Sequence, residues 1–384
     1  MEVFAGLSRG SYLVCIGWMT LVATDQVAAV GQVFIVAMLA GLLGGPFLGV
    51  LADRYNRGQV AMAAHLAIAI VMLGMGALLA IGATAKAWFF LTAFPVQLLR
   101  LSYQLAHDGL VKANAADDML LKIIGRLRIT HLLGTSVGTL AAGKLIADFG
   151  AFAGFAGSAL MSLCLALVVW PIRAATEDTR QSYPTFLSDL RVGARAFAAS
   201  PALRPYAFVA IIALPLGQLS NAVLSALVRD DLGYGSDVFA IVDSAWPVGG
   251  VAAALFLSVG LGLSARPHAI FAFSAIAGVA TIWLAFSTSV LVLVFAHSLM
   301  GFSVWIGHIA IDARVIGLAE TENVGRLKSY IYVLFSAAAI VMCLSPSIFP
   351  GFAAGTYFFV WGSVAVIGSV GLLLHLQISG RNQT

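Results

Sequence analysis

The chain is short of charge. Only 10% of its 384 residues are Asp, Glu, Lys or Arg, and 61% are hydrophobic. Soluble domains run at about 25% charged and about 45–50% apolar, so a water-exposed surface cannot be built from this composition. Cysteine is scarce as well. The three present, Cys15, Cys164 and Cys343, are odd in number, show no C-x-x-C spacing and fall inside apolar runs. That excludes a disulfide framework or a zinc site and leaves them as small packing residues. The sequence also lacks a glycine-rich phosphate loop and a nucleophile elbow. Direct ATP hydrolysis and acyl-transfer chemistry are thereby set aside, no cofactor is expected, and energy has to come from an ion gradient. The net charge of +4 is spread over short loops without a basic patch, so it speaks for orientation in a membrane and not for nucleic acid.

What is present is a succession of apolar runs, each near the roughly 20 residues that cross a bilayer. The sequence predicts spans at about Gly10–Ala23 (with a possible start at Val3), Val27–Leu51, Val60–Gly82, Trp88–Ala106, Ile129–Phe149 and Phe152–Ile172. A second set follows at about Pro205–Val228, Val238–Val259, His268–Phe286, Val290–Ile311, Ser329–Phe349 and Ala353–Leu376. The longest polar stretch, Arg173–Arg204, separates them. This organises the chain as a six-helix bundle over 1–172, a central loop over 173–204 and a second bundle over 205–384. Within the loop, Phe186, Leu187, Leu190 and Phe197 have helical spacing, which predicts a helix lying on the membrane surface. Arg9 before an apolar run and Val27-Ala-Ala look like a cleavable leader; only an uncleaved first span makes the count even. A weak internal echo links the halves: Val33-Phe34 with Gly44-Gly45 matches Val238-Phe239 with Gly249-Gly250 at one offset. Paired halves are a common way of building transporters.

Between the second and third spans lies Gly49-Val-Leu-Ala-Asp53-Arg54-Tyr-Asn-Arg57-Gly58. There is room there only for a tight charged turn. It resembles the signature loop of the major facilitator superfamily. The resemblance implies an all-α fold of twelve transmembrane helices in two six-helix bundles, working by alternating access about a site near the bilayer midplane. It also implies that Gly49, Asp53, Arg54 and Arg57 form a gate motif. The corresponding stretch of the second half, Gly260–Arg266, has no acid in place of Asp53. Most lysines and arginines fall on the side of the two termini, with Lys86, Lys144 and Arg229 opposite and Arg100 inside the fourth span. Both termini are therefore expected in the cytoplasm, in a multi-pass protein of a bacterial inner membrane.

Ionisable groups inside a span cost about 2.5–3.5 kcal/mol each on insertion scales, so they need a partner or a wet cavity. Gln97, Arg100 and Gln104 share one face of the fourth span, and His107 continues it. Substrate contact and structural pairing of Arg100 with an acid are both open readings. Resemblance to relatives with an arginine in the fourth helix adds a role in proton coupling. Gln218 and Asn221 on the seventh span, and His297, Trp305 and His308 on the tenth, are further substrate-binding candidates or interhelical contacts. Asp243 is an acid well inside a span, a candidate proton carrier, a partner for Arg100 or a packing contact. Gly134-x-x-x-Gly138-Thr139-Leu-Ala-Ala142-Gly143 resembles the antiporter motif of superfamily exporters but lacks its proline. Ala106–Asn114 is loosely similar to the branch of enterobactin exporters and macrolide efflux proteins. The expected function is secondary active transport of a small organic molecule, with proton-coupled export of a siderophore-like metabolite or drug leading. Import of a metabolite or ferric siderophore and a non-transporting scaffold or sensor stay open. The expected partners are the substrate, a coupling proton and the bilayer, with no nucleic acid, no metal and a monomeric state.

Overall fold

The computed structural model describes residues 1–114, 120–171, 186–258, 267–318 and 324–381. Among them every regular element is helical. In chain order these are α1 (Glu2–Thr24), α2 (Val27–Arg54), α3 (Arg57–Ala80), α4 (Lys86–Asn114), α5 (Leu120–Phe149), α6 (Ala151–Val169) and α7 (Phe186–Ala199). Then come α8 (Arg204–Ile212), α9 (Leu216–Ala226), α10 (Ser236–Ser258), α11 (Pro267–Phe286), α12 (Val290–Leu318), α13 (Val324–Ile348) and α14 (Ala354–Arg381). Nine segments among the described residues are long and apolar enough to cross a membrane. The segment Arg204–Asp231 counts as one of them and joins α8, α9 and a wider helical turn, Leu227–Asp231. The three other long helices, α1, α4 and α5, carry the polar residues that lower their hydropathy. With them the expected twelve spans are complete.

Chain contacts divide the protein into two compact units. The first holds Met1–Tyr183 with Gly233–Ser244, and the second holds Pro184–Leu232 with Ala245–Thr384. The division thus falls inside the polar stretch that separates the two sets of spans, while the first part of α10 goes with the first unit.

In the first unit, α1 lies along α5 at backbone contact. A Cβ on Gly6 or Gly10 of α1 would stand 2.1 Å from the His131 carbonyl oxygen or 2.0 Å from that of Thr135. On α5, a Cβ on Gly134 or Gly138 would stand 2.3 Å from the Val3 oxygen or 2.2 Å from the Leu7 oxygen. Two small-x-x-x-small pairs therefore face one another. Between apolar helices in lipid the driving force is close packing, and glycine permits it. Gly143, the last glycine of the stretch similar to an antiporter motif, admits α10: a Cβ there would meet Ala240 Cβ at 2.1 Å. Ser236 Oγ donates to the Gly143 carbonyl at 3.2 Å, and Ser136 Oγ donates to the Ser244 carbonyl at 2.8 Å. In this structure the stretch is a packing seam. Asp25 ends α1 in the left-handed conformation (φ 52°) with its N–H on the Leu21 carbonyl, a geometry Asp tolerates better than most side chains. Cys15 is buried and Cys164 half-buried.

The second unit uses the same device. Gly278 of α11 and Gly362 of α14 meet reciprocally, each Cβ position lying 2.8 Å from the other's carbonyl oxygen. Gly249 of α10 and Gly301 of α12 interlock similarly, against the Ser298 and Trp246 carbonyls. The echoed glycines thus occupy matching contacts: Gly44 packs α2 on Leu98 of α4, and Gly249 packs α10 on α12. The span expected at Pro205–Val228 is broken at Ala213-Leu214-Pro215, since proline removes an N–H from the helical ladder. Asp231 Oδ2 accepts from Gly355 N at 2.9 Å and caps the start of α14. The loop expected over 173–204 contains α7, which rests on α13. Gly193 lies against the Arg326 carbonyl, where a Cβ would come within 2.3 Å, and the rings of Phe197 and Tyr330 are 5.4 Å apart. Residues 173–185 and 260–266 lie outside the described residues.

Candidate functional site

The polar face of α4 meets α1. Arg100 Nη2 donates to the Ser8 carbonyl at 2.8 Å and reaches Ser8 Oγ at 3.4 Å, while the guanidinium carbon sits 4.8 Å from the centre of the Tyr12 ring. Ser8 Oγ in turn lies 2.7 Å from Ser162 Oγ on α6. A cation over an aromatic face, held by hydroxyl and carbonyl oxygens, is stabilised without a counter-ion. Among the described residues no carboxylate pairs with Arg100, and its Nε–H, shut off from solvent, has no acceptor. Pairing with an acid, one of the two readings the sequence left open for Arg100, is not observed among the described residues; the contact seen is with α1. Gln97 is half-buried and Gln104 exposed. At 100° per residue Gln104 lies about 40° round the helix from Arg100, which separates the glutamines from the line that faces α1.

Two turns along α4, that line reaches His107. Glu2 of α1 is gripped there from two helices. Tyr103 OH donates to Glu2 Oε1 at 2.9 Å, His107 Nε2 lies 3.2 Å from the same oxygen, and His131 Nδ1 of α5 lies 2.9 Å from Oε2. His65 of α3, 1% exposed, sits edge-on to Tyr103 with ring centroids 4.6 Å apart. Neither of its ring nitrogens has a hydrogen-bond partner among the described residues. Sequence reading missed Glu2, Ser8, Tyr12, Tyr103, His65 and His131. Gly6-x-x-x-Gly10 was the available signal, since it marks the face of α1 that packs on a neighbour and so the residues beside it.

At the turn after α2 only Tyr55 and Asn56 separate the two helices, as the tight-turn reading requires. Asn56 caps α3, its side-chain oxygen accepting from Gln59 N at 3.2 Å. Arg57 Nη1 donates to the Gly109 carbonyl of α4 at 3.1 Å. Gly109 lets the guanidinium lie close against the backbone: a Cβ there would stand 2.5 Å from Arg57 Nε and push the side chain aside. A guanidinium on a carbonyl in the last turns of a helix is favourable, since it meets the negative end of the helix dipole. The side chains of Gly49, Asp53 and Arg54 lie outside the described residues.

In the second unit the structure joins some candidates and separates others. Asn221 Nδ2 donates to Gln218 Oε1 at 3.2 Å along α9. His297, 1% exposed, shares a 2.8 Å hydrogen bond with Ser220 Oγ through Nε2, and Trp246 lies tilted 5.6 Å from its ring. The rings of Trp305 and His308 lie 5.3 Å apart, tilted by 41°, and His308 stands edge-on to Phe335 of α13 at 6.3 Å. His297 therefore belongs to a serine–tryptophan nest, while Trp305 and His308 begin an aromatic row two turns further on. Asp243, in the part of α10 that belongs to the first unit, is half-buried. It is flanked by the seam with α5 described above, and Phe239 one turn before it stacks on Trp18 at 5.4 Å. Among the described residues it has no hydrogen-bond or ion-pair partner, so pairing with Arg100 is not observed.

Comparison with known proteins agrees with this architecture. The family model for the Major Facilitator Superfamily matches residues 1–343. The structure is similar to that of the nucleoside transporter NupG, with a TM-score of 0.75 and 15% identity over 97% of this chain and 96% of that one. It is also similar to the POT family transporter PepTSo, with a TM-score of 0.72 and 13% identity over 100% of this chain and 98% of the other. An auto-inhibited POT family peptide transporter gives 0.65 and 12%, covering 97% of this chain and 96% of that chain. No curated protein matches in sequence. At these identities the likeness to solved structures concerns the fold, and the family match extends it to the class of activity. The chain belongs to the major facilitator superfamily and is a multi-pass membrane transporter of a small-molecule substrate, not an enzyme.

Proposed function

We propose that the protein is a secondary active transporter that exports a small, polar or anionic organic molecule by alternating access, driven by proton entry. The observation that carries the substrate class is Arg100. Its positive charge is compensated by no carboxylate among the described residues, and one N–H of its fork is unspent. A buried donor without an acceptor costs free energy until something accepts from it, and an anionic or carbonyl-bearing substrate would do so. Gln97 and Gln104 of α4 are the accompanying contacts from the first unit. Within the second unit, taken by itself, Gln218, Asn221, His297, Trp305 and His308 are the substrate-binding candidates, the tilted Trp305–His308 pair suiting a flat or unsaturated moiety.

Asp243 is the proposed proton carrier. A carboxylate inside a span, without a cation partner among the described residues, is better tolerated neutral than charged. Arg100 takes part by changing partners as substrate and proton exchange. Arg57, with Gly49, Asp53 and Arg54, forms the cytoplasmic gate, Arg57 holding the end of α4. Both termini are assigned to the cytoplasm and the protein to a bacterial inner membrane as a monomer. The cargo is a siderophore-like metabolite or a drug-like compound, following the loose similarity of Ala106–Asn114 to exporters of that kind.

Everted vesicles test this reading. A panel of siderophores and small anionic drugs should accumulate only with an inward-acid proton gradient. Asp243→Asn should abolish the dependence on the gradient while sparing substrate exchange at equal pH. Uptake by whole cells, lost in Arg100→Ala, would establish import instead. Movement of no candidate, with a phenotype unchanged in both variants, would establish the scaffold or sensor.

A further inference from the structure

Tryptophan favours the two edges of a bilayer, where its ring sits in hydrocarbon and its N–H in water. Trp246 stands elsewhere. It lies midway along α10, Ser236–Ser258, about 15 Å or more from either end at 1.5 Å per residue. The exposed apolar residues of that helix, Ile241, Val248 and Leu255, recur every seventh position and form the stripe that meets lipid. At 100° per residue Trp246 lies about 140–180° round the helix from all three. It is nevertheless only half-buried, so its open surface faces away from the acyl chains. Two helices of the second unit seat it. On α9, Gly217 leaves room for the ring: a Cβ there would stand 2.8 Å from both Cζ2 and Cη2 of the indole. On α12, His297 lies tilted 5.6 Å from it, itself held by the 2.8 Å hydrogen bond to Ser220 Oγ. Gly301 of α12 fits against the Trp246 carbonyl, where a Cβ would come within 2.4 Å. The indole N–H takes part in no hydrogen bond among the described residues.

We propose that Trp246 determines specificity in the second unit by stacking on a planar, conjugated ring of the substrate. The proposal rests on the reading of the protein as a transporter of a small organic anion, and it narrows that class. A tryptophan that only packs is covered, and one that only anchors a helix lies at the membrane edge. Trp246 is neither covered nor at the edge. It is open at mid-depth on the side away from lipid, where a transporter of this architecture holds its cargo. A flat ring meets an indole offset or edge-on, at a contact that a puckered ring of equal size cannot match. Gly217, His297 and Gly301 fix the indole beforehand, so little freedom remains to be lost on binding. Its N–H is free to donate to a carbonyl or hydroxyl on the stacked ring. The Trp305–His308 pair is not a substitute for it, because Trp305 lies about 12 Å further along α12 than His297.

The test compares two anions, benzoylglycine and cyclohexanecarbonylglycine. They share a carboxylate and an amide and differ in a flat against a puckered ring. Affinities are read by isothermal titration of the full-length protein in lipid nanodiscs. The native protein should prefer the flat ring by roughly two- to tenfold, the range of an aromatic pair. Trp246→Leu should make the two affinities equal, and Trp246→Phe should keep most of the preference. If Trp246→Leu does not fold, Gly217→Ala serves instead: its Cβ displaces the ring, alanine suits a helix, and the preference should fall. A tryptophan that merely packs would lower the thermal midpoint in Trp246→Leu and leave the preference as it was. That outcome, a preference that survives Gly217→Ala as well, or a native protein that binds both anions alike or neither, would overturn the proposal. Arg100→Ala keeps it apart from the anion reading, since that variant should weaken both anions equally. Affinities unchanged in Arg100→Ala would remove the anion role of Arg100 and leave the preference set by Trp246 in place.

Discussion

Removing the Arg100 guanidinium should loosen α1 from α4 by a measurable amount. In the native bundle it makes a 2.8 Å hydrogen bond to the Ser8 carbonyl, a longer one to Ser8 Oγ and a 4.8 Å approach to the Tyr12 ring. A hydrogen bond from a charged donor contributes about 1.5–3 kcal/mol net, and a desolvated cation over an aromatic ring about 2 kcal/mol. Interhelical polar contacts measured in bilayers are weaker, averaging about 0.6 kcal/mol, because unfolded helices in lipid also find partners. Arg100→Ala should therefore destabilise the protein by on the order of 2–4 kcal/mol, with the lower end favoured. The sharper quantity is the coupling to Tyr12. A double-mutant cycle of Arg100→Ala and Tyr12→Leu, followed by equilibrium unfolding in mixed detergent micelles, should give an interaction of about 0.5–2 kcal/mol. Arg100→Lys should recover part of the stability, since it keeps the charge but loses the planar fork. Two single variants that add to within about 0.3 kcal/mol would show that the ring does not hold the cation. The account of why Arg100 is stable without a counter-ion would then fail.

Other outcomes follow from particular contacts. Gly138→Leu should cost about 1–3 kcal/mol by overpacking and lower the thermal midpoint in detergent, since even a Cβ would stand 2.2 Å from the Leu7 oxygen; Gly74→Leu, where nothing lies within 4 Å, should leave it unchanged. Arg57→Ala should slow transport turnover by roughly tenfold or more, the effect of about 1.4 kcal/mol on a barrier. Substrate affinity, read by equilibrium binding, should change little; equal loss of both would remove Arg57 from the gate. Gly193→Leu should separate α7 from α13, seen as faster hydrogen exchange of amides 190–199 with the bundle helices unaffected. Unchanged exchange would mean that the Arg326 contact does not hold α7.

The order and number of the spans were legible in the chain because a bilayer imposes a length and a polarity on each helix, and both are properties of contiguous residues. The same holds for the tight turn at Asn56 and the repeated glycine pairs, which depend on neighbours in sequence. It fails at Pro215, where a local break passes within an apolar run without changing its hydropathy. It fails again at α7, whose spacing reveals an apolar face but not the helix that covers it.

The sequence by itself determined that this protein lies in a membrane, how many times it crosses and that Arg100 must turn inward, since lipid cannot solvate a guanidinium. Only the tertiary structure decided what Arg100 and His107 meet. Their partners, Ser8, Tyr12 and Glu2, stand about a hundred residues away, and no periodicity links them. What brings them within reach is backbone contact between α1 and α5 at four glycines, which sets the depth and rotation of α1 against α4. Hydropathy measures each helix against lipid, whereas the site depends on the register of one helix against another, and that register is fixed by packing.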